Sequence, residues 1–193
     1  DVDLDGYLDL RAANGHVEPE IHRVQSSQRY IQPVQLFWNC GSRCTRRYQL
    51  VEENGDLGKP RAGRGAAYAD IDGDGDLDLA ITEVGGRFTL LRNDQDLDHH
   101  YARLSLRANG QNTLALGATV TLFTVKTTQT RTVMPSRSYL SQMELPITFG
   151  LGMESKVQRV IVNWPDGEVE SWSNLAVDRA QVLVQGLGKK LLP

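Results

Sequence analysis

The chain has 193 residues, of which 40% are hydrophobic, and its formal net charge at pH 7 is −3. This composition supports a packed core of one or two domains and excludes a disordered acidic tail. No basic stripe with interleaved aromatic residues supports nucleic-acid binding, and no run of about 18 apolar residues could span a membrane.

The chain begins with an acidic loop that occurs a second time further on. Residues 1–9 carry aspartates at the first, third, fifth and ninth positions and a glycine at the sixth. Residues 70–78 repeat this spacing and add a fifth aspartate at the seventh position. On one face of an extended strand these carboxylates would repel one another, whereas a loop curled about Ca²⁺ uses them as ligands.

We therefore predict two calcium sites. The first is formed by Asp1, Asp3, Asp5, Tyr7 and Asp9, and the second by Asp70, Asp72, Asp74, Asp76 and Asp78. The seventh residue of each loop contributes its backbone carbonyl, and the glycine before it permits the sharp turn. The alternative is a pair of solvated acidic loops that hold no ion.

These loops differ from EF-hands. An EF-hand needs a bidentate glutamate at the twelfth position and flanking helices, but the twelfth positions here are Ala12 and Ile81. Apolar and polar residues alternate after each loop, which predicts a half-buried strand.

Further strands and turns follow in chain order. Residues 35–39 and 48–52 read as strands before a turn at 53–56, and residues 66–69 form a small-residue strand before the second loop. A Gly-Gly turn at 85–86 leads into a strand at 88–93. Two acidic loops between such strands predict four-stranded β-propeller blades of about 40–50 residues each. Because one or two blades cannot bury their own faces, we expect further blades before residue 1.

Two cysteines, Cys40 and Cys44, stand close together in the first unit. No second cysteine pair or nearby histidine completes a zinc site. The short loop between them contains a glycine and can close as a disulfide, which fits an oxidising compartment, or both thiols can remain free.

The N-terminal half resembles FG-GAP/VCBS repeats. The resemblance rests on the acidic loops, the GRGAA lead-in at residues 63–67 and the LLRN exit at residues 90–93. The NGHV run at residues 14–17, with QP at 32–33 and LF at 36–37, resembles the narrower cartilage acidic protein-like group. The resemblance implies calcium-binding propeller blades over residues 1–98.

The second half lacks acidic loops and carries short alternating strands, near residues 102–108, 117–125, 130–134, 157–164, 169–172 and 181–185. This pattern predicts a small antiparallel β-sandwich over residues 99–193. The motifs LGA at 116–118, SYLSQ at 138–142, FGLG at 149–152 and WPDG at 164–167 resemble the UnbV/ASPIC domain that follows such propellers.

No catalytic residues are predicted. Neighbouring residues of a strand face opposite ways, so His99 and His100 cannot easily share a metal, and we interpret them as part of a solvated linker. The polar run at 138–142 either contacts a ligand or, as we favour, pins a strand corner. No nucleophile–base motif or phosphate loop is present.

The resulting hypothesis is a calcium-stabilised, non-enzymatic binding or adhesion module, secreted or on the cell surface, with a protein or glycan partner. One alternative is a self-assembling surface or filament subunit, since an exposed sheet edge can recruit another chain. Another is a carbohydrate-binding or enzymatic propeller whose pocket lies on blades outside this sequence.

Overall fold

The computed structural model describes residues 1–52 and 55–191, and nearly all of its regular structure is β. The predicted all-β class is therefore confirmed. Residues 53 and 54 of the predicted turn lie outside the described residues. The strands are β1 (Leu10–Ala12), β2 (Gln35–Asn39), β3 (Tyr48–Leu50), β4 (Gly63–Ala69), β5 (Asp78–Glu83), β6 (Thr89–Leu91), β7 (His100–Arg107), β8 (Thr119–Phe123), β9 (Thr128–Thr132), β10 (Ile147–Gly152), β11 (Arg159–Asn163), β12 (Val169–Trp172), β13 (Ala180–Val184) and β14 (Lys189–Lys190).

Two antiparallel sheets, β1–β2–β3 and β4–β5–β6, form the N-terminal half. Each has three strands, one fewer than the predicted blade. After β6 the chain leaves the second sheet and enters the C-terminal domain. A short helix, α1 (Ile21–Val24), and a 3-10 turn at Gly55–Gly58 lie in the connections. Val34, Leu79 and Ile81 are buried between the two sheets, where removal of each side chain from water contributes about 1.5–3 kcal/mol.

The C-terminal domain is a sandwich of a three-stranded sheet, β10–β7–β13, and a five-stranded sheet, β14–β12–β11–β8–β9. Alternate residues of β8 and β11, including Val120, Leu122 and Val160, point inward and are fully buried. Phe149 of β10 is the largest fully buried side chain. The period-two pattern of the sequence thus places one face of each strand in the core.

One strand pair departs from the antiparallel sandwich that the sequence predicts. β13 runs parallel to β7, with Ala180 opposite Arg103, whereas the other pairs of this domain are antiparallel. Parallel neighbours need a long crossover connection, and four strands of the five-stranded sheet, together with β10, lie between β7 and β13 in the chain.

The sequence reasoning did not identify β10 as a strand, because glycines at 150 and 152 weaken the strand pattern. The structure explains why residue 150 is a glycine. A Cβ there would collide with the backbone of Leu4 in the first acidic loop. The amide of Gly152 donates a hydrogen bond of 2.8 Å to the carbonyl of Leu4. Strand β10 is therefore where the sandwich packs on the first loop.

Among the described residues, no helix is long and apolar enough to cross a membrane.

Candidate metal-binding loops

The second acidic loop gathers three of its predicted ligands. Side-chain oxygens of Asp70, Asp72 and Asp74 all lie within 4.8 Å of one another. The backbone of Gly75 has φ +103°, and a Cβ there would collide with the ring of Tyr101 on β7. Glycine is therefore required both for the turn of the loop and for its contact with the sandwich.

The first loop gathers a similar but not identical set. Oxygens of Asp1, Asp3 and Asp9 lie within 4.8 Å of one another. Asp5, the third predicted acid of this loop, instead forms an ion pair with Arg43. Tyr7 donates its backbone N–H to Asp5 at 2.8 Å. The structure thus brings together three of the four predicted carboxylates here.

The last aspartate of each loop binds backbone amides in the same way. Asp78 accepts hydrogen bonds from the N–H groups of Ile71 at 2.9 Å and Asn93 at 2.8 Å. Asp9 likewise accepts from Val2 at 2.6 Å and Asn39 at 2.8 Å. Both oxygens of each carboxylate are therefore engaged in closing the loop and in fixing it to the strand that follows.

Asn39 and Asn93 are residues whose role the sequence reasoning missed. Besides their backbone bonds, the side chain of Asn39 donates to the carbonyl of Leu8 at 2.9 Å. The side chain of Asn93 donates to the carbonyl of Val2 at 2.8 Å and so links the two loops. The signal was present, because an asparagine stands at or just after the end of both β2 and β6.

Two buried carboxylate oxygens indicate whether a cation would fit in the loops. Asp76 is 3% exposed, and neither its Oδ1 nor the Oδ1 of Asp1 has a hydrogen-bond partner among the described residues. Burial, followed by repulsion from the neighbouring aspartates, raises the pKa of Asp76 to about 7. Buried carboxylate oxygens without donors are expensive unless a positive charge lies beside them. The donor set consists of hard oxygens, which fits Ca²⁺.

Arginines neutralise part of this acidity from outside the loops. Arg103 Nε lies 3.3 Å from Asp70, and Arg92 lies 3.6 Å from Asp72. Arg103 belongs to β7, so this ion pair joins the second loop to the sandwich. Because these partners are distant in sequence, spacing alone did not reveal them.

The Cys40–Cys44 disulfide predicted as one of two alternatives is present. It closes a loop that holds Arg43, whose guanidinium lies 5.7 Å from the ring centre of Tyr7 and 5.0 Å from that of Trp38. The disulfide loop therefore covers one side of the first acidic loop and supplies the cation that pairs with Asp5.

Comparison with known proteins decides the family. Residues 1–81 match the FG-GAP-like repeat, and residues 108–190 match the domain described as ASPIC and UnbV. The chain belongs to the FG-GAP repeat proteins with an ASPIC and UnbV domain.

The relatives share one name. The chain is 33% identical to cartilage acidic protein 1 of Mus musculus over 141 residues, which cover 69% of this chain and 22% of that protein. It is 33% identical to the Homo sapiens protein over 129 residues, 63% of this chain and 19% of the relative. The Xenopus tropicalis protein is 32% identical over 120 residues, 60% of this chain and 18% of the relative. The chain thus spans about a fifth of these relatives.

The histidines of this FG-GAP protein lie at the junction of its two halves. His99 contacts the carbonyl of Asp3 through Nδ1, and His100 begins β7 and contacts Asp178 at 2.7 Å. The predicted solvated linker is therefore wrong, since both side chains are half-buried and bonded. Their different partners agree with the prediction that they do not share a metal.

The polar run at residues 138–142 of the ASPIC and UnbV domain forms a tight turn. The hydroxyl of Ser141 donates to the carbonyl of Tyr139 at 2.8 Å, and Leu140 has a φ of +45°. These contacts agree with the favoured role of pinning a corner. Tyr139 and Leu140 at the tip are exposed.

Proposed function

We propose that this chain is a calcium-stabilised extracellular binding module without catalytic activity. The observation that carries the proposal is the clustering of three carboxylates in each of two loops of equal spacing. Buried, unpartnered oxygens of Asp1 and Asp76 add to it. Bound Ca²⁺ would supply positive charge there, held by Asp1, Asp3 and Asp9 in one loop and Asp70, Asp72 and Asp74 in the other.

The proposed role of these loops is structural. Asp9 and Asp78 use both carboxylate oxygens to hold backbone amides, which fixes the loops rather than leaving a group free to react. The second loop also contacts the sandwich through Arg103 and Tyr101. An ion held here would therefore stabilise the blades and their junction with the sandwich.

Two observations support an extracellular location and a binding role. The Cys40–Cys44 disulfide is typical of proteins in oxidising compartments, where calcium at millimolar concentration fills weak sites. The similar proteins bear a name that refers to cartilage. We propose a protein or glycan as the partner.

Calcium binding is tested by calorimetric titration and by thermal unfolding in 2 mM CaCl₂ and in EGTA. A site filled to 100 times its Kd stabilises the fold by about 2.7 kcal/mol, which raises Tm by about 5–11 °C for a chain of this size. Asp72→Asn and Asp3→Asn should each remove one site. Asp96→Asn, an exposed acid outside both loops, is the matched control. Equal Tm values in calcium and EGTA, without heat of binding, would contradict the proposal.

A further inference from the structure

A cleft of about 400 Å³ lies between the two N-terminal sheets and the sandwich. Its apolar lining comes from both halves and includes Leu8, Leu79, Met143 and Ile147. A volume of this size lies within the range of about 300–1,000 Å³ that is usual for small-molecule sites. The cleft is therefore large enough for a ligand with an apolar body.

Three arginines line the cleft, and Arg11 interacts electrostatically with Asp9, Asp76 and Asp78. The other two are Arg131 and Arg137. Among the described residues, neither Arg131 nor Arg137 forms an ion pair. Arg131 donates to the carbonyl of Thr130 at 3.1 Å and to Gln129 at 3.0 Å, and its Nε has no partner. These bonds use two of the five N–H groups of a guanidinium. Most of its donor capacity therefore remains free.

Three acids line the cleft, namely Asp1, Asp9 and Glu144, and among the described residues none of them forms an ion pair with Arg131 or Arg137. Both oxygens of Glu144 accept hydrogen bonds from Arg103, and both oxygens of Asp9 accept backbone N–H groups. Burial, followed by repulsion from Arg137, lowers the pKa of Arg131 to about 10. Asp1 belongs to the carboxylate cluster of the first acidic loop, and Asp9 lies 3.7 Å from the N-terminal ammonium, so no acid of the lining is paired with either guanidinium group.

We propose that this cleft binds a carboxylate carried on an apolar body, with Arg131 and Arg137 holding the carboxylate. The partly buried guanidinium of Arg131 gains most from an anion, because a charge-assisted pair replaces its lost hydration, and the exposed Arg137 adds a second positive charge. Tyr68 and Ser138 also line the cleft and offer hydroxyl groups to the same ligand. Either a small organic acid or a peptide carboxylate has this chemistry.

The test is a calorimetric titration of the purified protein with 4-phenylbutyrate and with its neutral analogue 4-phenylbutanamide, in 2 mM CaCl₂. We expect the acid to bind at least about tenfold more tightly than the amide, as hydrogen bonds to charged groups imply. Arg131→Met and Arg137→Met should each weaken acid binding by about tenfold and leave amide binding unchanged. Arg87→Met, an exposed arginine outside the cleft, is the matched control and should change neither.

A second titration with N-acetyl-leucyl-phenylalanine, which ends in a free carboxylate, separates the two ligand sources. Binding of this peptide alone assigns the cleft to a peptide carboxylate, and binding of 4-phenylbutyrate alone assigns it to a small acid. Arg137 is exposed, so its substitution tests the proposal even where Arg131→Met fails to fold. The proposal is overturned if both acids fail to bind, or if acid and amide bind equally. Because calcium binding is measured separately, such a failure would leave the calcium proposal intact.

Discussion

Arg103 is the residue whose loss should weaken the junction between the blades and the sandwich most. Its guanidinium donates to both oxygens of Glu144, to the hydroxyl of Thr148 at 2.8 Å and, through Nε, approaches Asp70 at 3.3 Å. The side chains of Arg103 and Glu144 are 9% and 13% exposed. Replacing the arginine would leave Glu144 as a nearly buried charge without a cation.

The expected loss is large. Removing one partner of a buried ion pair costs about 3–5 kcal/mol, a substantial part of the 5–15 kcal/mol that stabilises a typical domain. If Ca²⁺ binds in the second loop as proposed, Asp70 keeps a positive neighbour, and the lost stability comes mainly from Glu144. Arg103→Met should therefore lower the free energy of unfolding by about 3–5 kcal/mol.

The measurement is urea unfolding in 2 mM CaCl₂, followed by fluorescence of Trp38, Trp164 and Trp172. Urea is uncharged, whereas guanidinium chloride would screen the ion pair. The double variant Arg103→Met/Glu144→Met removes both charges and should recover about 2 kcal/mol relative to the single variant. Lys190→Met, which breaks an exposed pair with Glu168, serves as the control and should have little effect.

Two results would refute this reasoning. A loss below about 1 kcal/mol for Arg103→Met would show that solvent reaches the Glu144 carboxylate. Additive losses in the double variant would show that the two charges do not stabilise one another.

Substitutions at Glu170 and Gly75 test the core and the second loop. Glu170 is fully buried and accepts hydrogen bonds from the indole N–H of Trp164 at 2.9 Å and from a backbone N–H. Glu170→Leu should lower the free energy of unfolding, measured in urea, by about 2–6 kcal/mol. Glu170→Gln should lower it clearly less, because glutamine keeps a hydrogen-bond acceptor, and equal losses for the two variants would contradict this. Gly75→Ala should lower the free energy of unfolding by about 2–5 kcal/mol, because the new Cβ collides with Tyr101 and the positive φ strains an alanine. Gly110→Ala, with φ +75° and open space, should cost only about 1–2 kcal/mol, and a similar Tm for both variants would argue against the contact.

The sequence predicted those features whose signal lies within a few neighbouring residues. The repeated spacing of aspartates located both loops, and the β-rich runs at residues 117–125 and 157–164 located strands β8 and β11. Because Cys40 and Cys44 are close in the chain, the sequence indicated a disulfide between them as one of two alternatives, and the structure contains it.

Features that depend on distant contacts escaped prediction. Gly150 weakens the strand pattern of β10, and only the packing of Leu4 against it explains the glycine. The ion pair of Arg103 with Asp70 and the unpartnered Nε of Arg131 depend on how the sandwich meets the blades. Such contacts arise from tertiary packing, which neither spacing nor propensity encodes.

The parallel pairing of β13 with β7 has a consequence for the order of folding. Strand β7 opens the sandwich in the chain, and its neighbour β13 is synthesised after four of the five strands of the larger sheet and before β14. Contacts between segments so far apart close slowly, because the entropy of a long loop must be overcome first. During synthesis on the ribosome, Leu104 and Leu106 of β7 could not pack against Leu183 until β13 has been made. The core of the sandwich and its contacts with the blades would therefore form late.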